Sequence, residues 1–196
     1  MIRMKKILLL SLLYLLSGCA HLKNNIPEFG THHAQLLGSW QARGSLAEHA
    51  QSHYGMNASF IWRQKNQNQY ELMLLGPLGS YPTLIRSVNG RATIRTQKNT
   101  YYLVRSGMQF WRNRNSTFSI KIPILQMPYW LRGLPAPNGA HSMRWNTNGT
   151  LRQLQQFEWT IDYLSWTSVK NQMLPKQLTM HNSYQTLNLL IYQWII

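Results

Sequence analysis

Hydrophobic and aromatic positions from residue 40 onward recur at the short intervals typical of strands. In the segment 56–65, Met56, Ala58, Phe60 and Trp62 alternate with other residues, which is the period-two pattern of a strand with one buried face. Comparable runs, separated by Gly, Asn, Gln and Ser, occupy 39–49, 68–76, 81–90, 91–98, 100–107, 143–166, 174–184 and 185–196. Turn signals lie at Asn89-Gly90, Lys98-Asn99 and Asn148-Gly149. This arrangement predicts an antiparallel meander.

The middle of the chain follows a different pattern. The segments Gly107–Asn115 and Pro123–Arg132 are better candidates for short helices than for strands. Pro128 breaks or starts a helical turn in the second segment, which favours short pieces over one long helix. The chain is therefore predicted to be mainly β with a few helices (α+β). About six strands precede the insertion, so a curved sheet capped on its concave side is expected, and such a fold would hold an apolar ligand.

The stretch "LMLLGPLGSYP" at 72–82 ends a predicted strand with a turn. Reading Gly76, Pro77, Leu78 and Gly79 as its four positions puts the proline at i+1 and a glycine at i+3, as type I turns favour. Leu78 then occupies position i+2 and faces away from the strands. The alternative is an ordinary turn leucine that folds back on the sheet.

The first eighteen residues have the features of an export signal. Arg3, Lys5 and Lys6 precede an apolar core at Ile7–Leu16, which is too short for a membrane span of about twenty residues. The segment ends Leu16-Ser17-Gly18-Cys19, which resembles the bacterial lipobox, in which the cysteine is acylated and becomes the new N-terminus. A plain secretory signal with a chance cysteine, or a short membrane anchor, is the alternative.

The lipobox interpretation also accounts for the cysteine count. Cys19 is the only cysteine in the sequence, and acylation would consume a thiol that cannot form an internal disulfide. Ala20 follows it rather than the aspartate associated with retention in the inner membrane, so we expect the outer membrane, with the protein lipid-anchored and facing the periplasm. Residues 19–35 then form the acylated N-terminus and a flexible tether that reaches about 50 Å when extended.

Residues 36–196 are predicted to form one domain. Removal of 18 residues from 196 leaves 178, and removal of three basic residues leaves 17 Lys and Arg against 5 Asp and Glu, a formal charge of +12. That balance indicates an anionic partner such as lipid headgroups or an acidic protein, with ordinary solubility as the alternative. Export argues against nucleic acid.

The sequence offers little catalytic or metal-binding chemistry. Its five acids are Glu28, Glu48, Glu71, Glu158 and Asp162, and neither a G-x-S-x-G elbow nor a G-x-x-x-x-G-K-[ST] loop is present. His49 and His53 could share a helical face, but that stretch has the pattern of a strand end and turn, and His32-His33 lies in the tether. We therefore predict a protein that is not an enzyme and has no metal or cofactor.

Several motifs, in order along the chain, resemble the LolB family of outer-membrane lipoprotein receptors. Beyond the lipobox they are "WQARGSLA" at 40–47, "FIWRQ" at 60–64, "YELMLLGPLGS" at 70–80, "IPILQMPYWLRGLP" at 122–135, "FEWTIDY" at 157–163, "LPKQLTM" at 174–180 and the closing Trp194. The resemblance implies an unclosed antiparallel β-barrel with a short helical lid over an apolar cavity.

The resemblance also implies a function and partners. Such a receptor accepts acylated lipoproteins from the periplasmic carrier LolA and inserts them into the inner leaflet of the outer membrane, where it contacts phospholipid; we expect it to act as a monomer. In the family, the protruding leucine of the PLG motif serves delivery into the membrane, and the matching residues here are Pro77, Leu78 and Gly79.

Tens of lipid methylenes require a sheltered path, since each costs about 0.8 kcal/mol in water. Candidates for the cavity lining, each of which could equally be a core residue, are Phe60, Trp62, Leu72, Leu74, Trp111, Leu125, Trp130 and Leu131.

Two features depart from the family pattern. The mature domain is more basic, and the segment before "IPILQMPYW" is shorter, which predicts a smaller lid. A lipid-binding or envelope-assembly lipoprotein of the same fold that does not pass lipoproteins on is the competing hypothesis.

Overall fold

Strands dominate the structure, a computed structural model that describes residues 38–50, 55–98, 100–103 and 123–196. In chain order the elements are β1 (Trp40–Ala50), β2 (Asn57–Asn66), β3 (Gln69–Leu75), β4 (Thr83–Val88), β5 (Arg91–Arg95), β6 (Thr100–Leu103), the helix α1 (Met127–Trp130), β7 (His141–Trp145), β8 (Leu151–Gln156), β9 (Trp159–Val169), β10 (Gln172–His181) and β11 (Gln185–Ile195).

The strands form one antiparallel sheet in the order β6-β5-β4-β3-β2-β1-β11-β10-β9-β8-β7. The first and last strands pair at its centre, with Leu46 of β1 opposite Leu189 of β11. Within the described residues β6 and β7 form the two edges and do not pair with each other, so the sheet is not closed. The prediction of an unclosed antiparallel β fold, with six strands before the insertion, is confirmed.

Alternation along the strands gives the sheet one buried face. In β2, Ala58, Phe60 and Trp62 are buried while their neighbours are more exposed, and β3 repeats the pattern. These side chains join those of the other half of the sheet in one continuous hydrophobic cluster. Because the side-chain period of a strand is two, a register slip of one residue would expose this whole face, so burial fixes the pairing.

The helix α1 packs on the buried face and shows that the sheet is strongly curved. The segment around it contacts β3 through Ile124 and β8 through Trp130. Six strand spacings separate β3 from β8, about 29 Å on a flat sheet, whereas six residues of helical chain span only about 9 Å. The sheet must therefore curl around α1, which caps its concave side as the sequence predicts.

The helix prediction is confirmed in a shortened form. Of the predicted segment Pro123–Arg132, only four residues are helical, with hydrogen-bonded turns on either side. Pro128 lies in the first turn, where its missing N–H costs nothing, so it starts the helix rather than breaking one. The other predicted helix, Gly107–Asn115, lies outside the described residues, as do the signal segment, Cys19 and the tether.

The Asn-Gly turns occur where they were predicted. Asn89 and Gly90 both have positive φ, as a two-residue hairpin turn requires, and Gly149 closes the β7–β8 turn by donating to the Asn146 carbonyl. The predicted turn at Lys98-Asn99 falls between β5 and β6 in the sequence, and its Asn99 lies outside the described residues.

Strand direction assigns each connection to one of two ends of the sheet. Because neighbouring strands are antiparallel, the β3–β4, β5–β6 and β10–β11 connections lie at the same end. We call this the loop end. Trp40, where β1 begins, and the β4–β5 turn lie at the opposite end. The pairing of Ser45 with Ser59, and of Ser59 with Leu75, puts the end of β3 about five residues, or about 17 Å along the strands, from the level of Trp40.

Candidate functional site

The β3–β4 loop is held by a dense set of hydrogen bonds. The Gly76 N–H donates to the Ser80 carbonyl (2.7 Å), the Gly79 N–H to the Gly76 carbonyl (3.0 Å) and the Ser80 N–H to the Pro77 carbonyl (3.1 Å). The Ser80 hydroxyl also donates to the Pro77 carbonyl, at 2.7 Å. A Cβ on Gly76 would stand 2.9 Å from the Ser80 Oγ and 3.0 Å from the Ser80 carbonyl oxygen, so the close approach of the loop ends favours glycine. The loop is therefore locally rigid.

The predicted type I geometry of this turn is wrong. Position i+2 of a type I turn has φ near −90°, but Leu78 has φ 54° and ψ 27°. Gly79 follows with φ 77°, which glycine adopts easily and leucine does not. A left-handed conformation costs an L-residue about 1–2 kcal/mol. The hydrogen bonds of the loop overcome this preference and fix the leucine in a strained conformation.

Leu78 projects completely into solvent. The residue shows 108% of its reference surface, the highest value among the large hydrophobic residues of the described chain. The turn leucine therefore does not fold back on the sheet. Strain in the backbone and full exposure of an apolar side chain both lower stability, and a combination that persists in a rigid loop points to function.

The buried wall beneath α1 contains the predicted cavity candidates of β2 and β3. Phe60, Trp62, Leu72 and Leu74 are all at most 3% exposed. Trp62 stacks on Tyr70 with ring centroids 4.6 Å apart, and its indole N–H donates to the Gln64 side chain at 2.9 Å. The four candidates form a continuous apolar surface that no solvent reaches in this conformation.

Candidates in and around α1 close this wall from the other side. Trp130 and Leu131 are completely buried, and Leu125 is partly buried against the same cluster. The Trp130 ring lies 6.3 Å from that of Trp159 on β9. Trp111, the remaining candidate, lies outside the described residues. The structure thus brings seven of the eight candidates together in one core. The candidates in and around α1 pack against those of the sheet.

Three polar side chains of the sheet tie the α1 segment down. The Tyr70 hydroxyl donates to the Ile124 carbonyl at 2.9 Å and the Tyr163 hydroxyl to the Trp130 carbonyl at 2.8 Å. Gln156 accepts from the Trp130 indole at 2.9 Å and from the Ala136 N–H at 2.8 Å, and donates back to the Ala136 carbonyl at 2.7 Å. The segment 124–136 is therefore fastened to β3, β8 and β9.

Burial perturbs the titratable groups of these ties. It raises the pKa of Tyr70 to about 12 and that of Tyr163 far above its usual range. Burial likewise lowers the pKa of Arg132, whose guanidinium lies 5.8 Å from the Trp40 ring centroid and 5.6 Å from that of Tyr129. Both tyrosines are neutral donors at physiological pH, so the ties are uncharged hydrogen bonds.

The described residues contain no group of three His, Cys, Asp or Glu side chains that could hold a metal ion. His49 lies near the end of β1, as the strand-end interpretation predicted, while His53 and His32-His33 lie outside the described ranges. None of the helical segments in the described part of the chain has the length and hydropathy needed to cross a bilayer.

Sequence reasoning missed the residues that fasten α1. Gln156 ends a run of polar and aliphatic residues, "LRQLQQ", in which nothing distinguishes it from Gln153 or Gln155. Tyr70 and Tyr163 lie within the motifs "YELMLLGPLGS" and "FEWTIDY", neither of which indicates a role for its tyrosine. Their alternation with buried neighbours placed them on the concave face, yet the partner of each hydroxyl depends on a segment more than thirty residues away.

Comparison with known proteins identifies the family. The family model "Outer membrane lipoprotein LolB" matches residues 38–194. The chain is 26% identical over 201 residues to an outer-membrane lipoprotein LolB of Pseudomonas syringae pv. syringae, covering 97% of this chain and 96% of that protein. A LolB of Chromohalobacter salexigens is 28% identical over 198 residues, covering 94% and 87% respectively.

Solved structures agree on the fold. The crystal structure of a LolA superfamily protein from Nitrosomonas europaea aligns with a TM-score of 0.53 at 9% identity, covering 81% of this chain and 86% of that one. A DUF1329 family protein from Desulfovibrio piger aligns with a TM-score of 0.54 at 6% identity, covering 83% and 87%. With the family model matching most of its length, the chain belongs to the LolB family of outer-membrane lipoproteins.

Proposed function

We propose that this protein accepts acylated lipoproteins from a LolA-like periplasmic carrier and inserts them into the inner leaflet of the outer membrane. One observation carries the proposal: Leu78, fully exposed and held at positive φ by a rigid loop. A protein that only stores an acyl chain gains nothing from such a tip. A protein that must touch a bilayer to unload its cargo does.

The buried wall supplies the cargo site. A chain of about fifteen methylenes gains about 12 kcal/mol on leaving water, so even one acyl chain has a strong preference for an apolar site. The side chains of β2 and β3 that would line this site are covered in the present conformation. Entry of an acyl chain therefore requires the α1 segment to lift from the wall.

The free-energy cost of lifting α1 is comparable to the free energy gained when one acyl chain binds to the apolar wall. Lifting α1 breaks about three to five neutral hydrogen bonds at about 1 kcal/mol each and uncovers Met127, Trp130 and Leu131 at about 2–3 kcal/mol each. The sum is about 9–14 kcal/mol. Cargo binding thus offsets opening, and the empty receptor closes again after unloading instead of exposing its apolar wall.

Direction comes from differences in affinity along the route. Carrier, receptor and bilayer form a series of progressively better sites for the same acyl chains, so no nucleotide hydrolysis is needed. Burying Leu78 in the bilayer contributes only about 1.5–3 kcal/mol, which is too little to anchor the domain. It is enough to orient the loop end of the sheet toward the membrane during release.

The test follows a labelled lipoprotein through both steps. A form lacking Cys19 is mixed with purified, loaded carrier, the partition of cargo is measured by pull-down, and liposomes are then added. We expect cargo to move to this protein and onward into the liposomes, with Leu78→Glu blocking only the second step. Val88→Glu is the matched control, because Val88 is an exposed apolar residue at the opposite end of β4.

Two results would contradict the proposal. Retention of cargo on the carrier, although the receptor is folded, would remove the receptor role and favour a lipid-binding lipoprotein of the same fold. Loss of the first step in Leu78→Glu would place Leu78 in cargo acceptance instead of membrane delivery.

A further inference from the structure

Tyr81 shares the unusual features of Leu78. It lies three residues further along the β3–β4 loop, has φ 51° and exposes 71% of its reference surface. Its carbonyl accepts only a long contact, 3.5 Å, from the Thr83 hydroxyl. The loop therefore contains two large residues with a left-handed backbone conformation, although neither is glycine or asparagine. The side chains of both are exposed to solvent.

Positive φ at both positions limits the possible reasons for having leucine and tyrosine there. Glycine or asparagine would adopt these conformations with less strain, so the backbone alone gives no reason for leucine and tyrosine. Packing gives none either, because neither side chain is buried. What the two positions share is a large side chain directed outward from a fixed loop. That is the arrangement expected of a contact surface for another molecule.

The chemistry of the loop matches a lipid interface. The residues from Gly76 to Pro82 carry no charge, so the loop can enter an apolar medium without burying an ion. Leucine is purely apolar, whereas tyrosine combines an apolar ring with a hydroxyl that stays hydrated. Tyrosine accordingly favours the headgroup level of a bilayer, above the depth that an aliphatic side chain reaches.

The surroundings of the loop are cationic. The β5–β6 turn lies at the same end of the sheet, about two strand spacings or 10 Å away, and carries the exposed Arg95 and Lys98. No aspartate or glutamate occurs between residues 72 and 157, and Glu158, in the β8–β9 turn at the same end, lies six strand spacings away along the sheet. An uncharged apolar tip flanked by cations complements a bilayer whose surface contains anionic phospholipid.

We propose that Tyr81 is a second membrane-contacting side chain, seated at the headgroup level of a phospholipid bilayer while Leu78 reaches the acyl region. This inference rests on the proposed function, since it takes the β3–β4 loop as the membrane-contacting element. It adds a defined orientation. Two anchors at different depths fix the tilt of the loop, which a single leucine cannot do.

The test measures depth at single positions in the mature, acylated protein. The chain has one cysteine, Cys19, and acylation blocks its thiol, so Tyr81→Cys, Leu78→Cys or Val88→Cys each adds the only reactive thiol. Each variant is labelled with an environment-sensitive fluorophore and reconstituted into liposomes of phosphatidylethanolamine and phosphatidylglycerol. Quenching by lipids brominated near the headgroup or deep in the acyl chain reports the depth.

We expect the probe at position 81 to be quenched mainly by shallow bromines, the probe at 78 by deeper ones, and the probe at 88 by neither. Quenching at 78 without quenching at 81 would overturn the role of Tyr81 and leave the proposed function standing. Absence of quenching at both would remove the membrane role of the loop itself. Equal quenching at all three positions would show a domain lying flat, which also contradicts the proposal.

A second readout separates contact from folding. Tyr81→Ser is expected to slow release of cargo into liposomes several-fold without changing acceptance from the carrier, and Tyr81→Trp to preserve the release rate, because tryptophan favours the same depth. Equal release rates in Tyr81→Ser and the native protein would contradict the proposal.

Discussion

Replacing Leu78 by asparagine is expected to make the protein more stable and less active. Leu78 makes no stabilising burial, because its side chain is fully exposed, and its φ of 54° is unfavourable for leucine. Asparagine tolerates this region much better. Unlike glycine, it adds little backbone freedom to the unfolded chain, so most of the relieved strain appears as stability.

The magnitude follows from the cost of the left-handed conformation. That cost is about 1–2 kcal/mol for an ordinary residue, and asparagine recovers about half of it, so the free energy of unfolding should rise by about 0.5–1 kcal/mol. For a domain of this size the midpoint of thermal unfolding should rise by about 1–4 °C. The apolar tip is lost at the same time, which removes about 1.5–3 kcal/mol of interaction with a bilayer.

Two assays test the predicted gain in stability and the predicted loss of activity separately. Urea denaturation of the form lacking Cys19 gives the change in stability, and release of labelled lipoprotein into liposomes gives the activity. Release should fall by about tenfold or more, since 1.4 kcal/mol corresponds to a factor of ten. A destabilised Leu78→Asn protein would show that the Leu78 side chain makes stabilising contacts, contrary to its full exposure in the structure. Unchanged release would show that the apolar tip has no part in delivery.

Three further predictions concern the buried wall and its ties. Leu131→Ala should lower the free energy of unfolding by about 2–5 kcal/mol in urea denaturation, because Leu131 is completely buried; a loss under 1 kcal/mol would contradict this. Gln156→Leu should cost about 2–4 kcal/mol and speed exchange of the Ala136 amide, because the Trp130 indole and both Ala136 backbone groups lose their partner. Burial raises the pKa of Tyr70 from 10.0 to about 12, so the folded state holds this proton more tightly and stability falls as pH rises through that interval. Urea denaturation across this pH interval should show a smaller loss of unfolding free energy in Tyr70→Phe than in the native protein. Identical pH profiles for the two proteins would show that Tyr70 is not the group responsible.

The alternation of buried residues in β2 and β3 was readable from the sequence because strand geometry translates directly into a period of two. Phe60, Trp62, Leu72 and Leu74 are therefore buried on one face of the sheet, and their role in lining a cavity stays a prediction. The turn at Asn89-Gly90 was equally readable, since these residue types accept positive φ. Such local rules predicted the antiparallel pairing of consecutive strands but not the pairing of β1 with β11.

Turns formed by residues that disfavour positive φ were not readable. Phe157 adopts it between β8 and β9, and Lys170 between β9 and β10, because pairing of the flanking strands imposes a tight connection whatever these residues prefer. Leu78 follows the same logic: the hydrogen bonds around Gly76 and Ser80 decide its φ. Tertiary constraint overrides local preference at these positions.

The ties of α1 depend on contacts between distant parts of the chain. Gln156 meets Ala136 only because the sheet curls around the intervening segment, and periodicity contains no information on that closure. The same holds for the length of α1. A ten-residue helical candidate becomes four residues, and the carbonyls of Ile124 before it and of Trp130 at its end accept hydrogen bonds from Tyr70 and Tyr163.

The most direct measurement is the equilibrium partition of one labelled lipoprotein between purified carrier and the form of this protein lacking Cys19, without liposomes or nucleotide. The account predicts that cargo accumulates on this protein, because its apolar wall is the better site of the two. Cargo that stays with the carrier, or that returns to it when added to this protein first, would contradict the affinity series on which the receptor role depends.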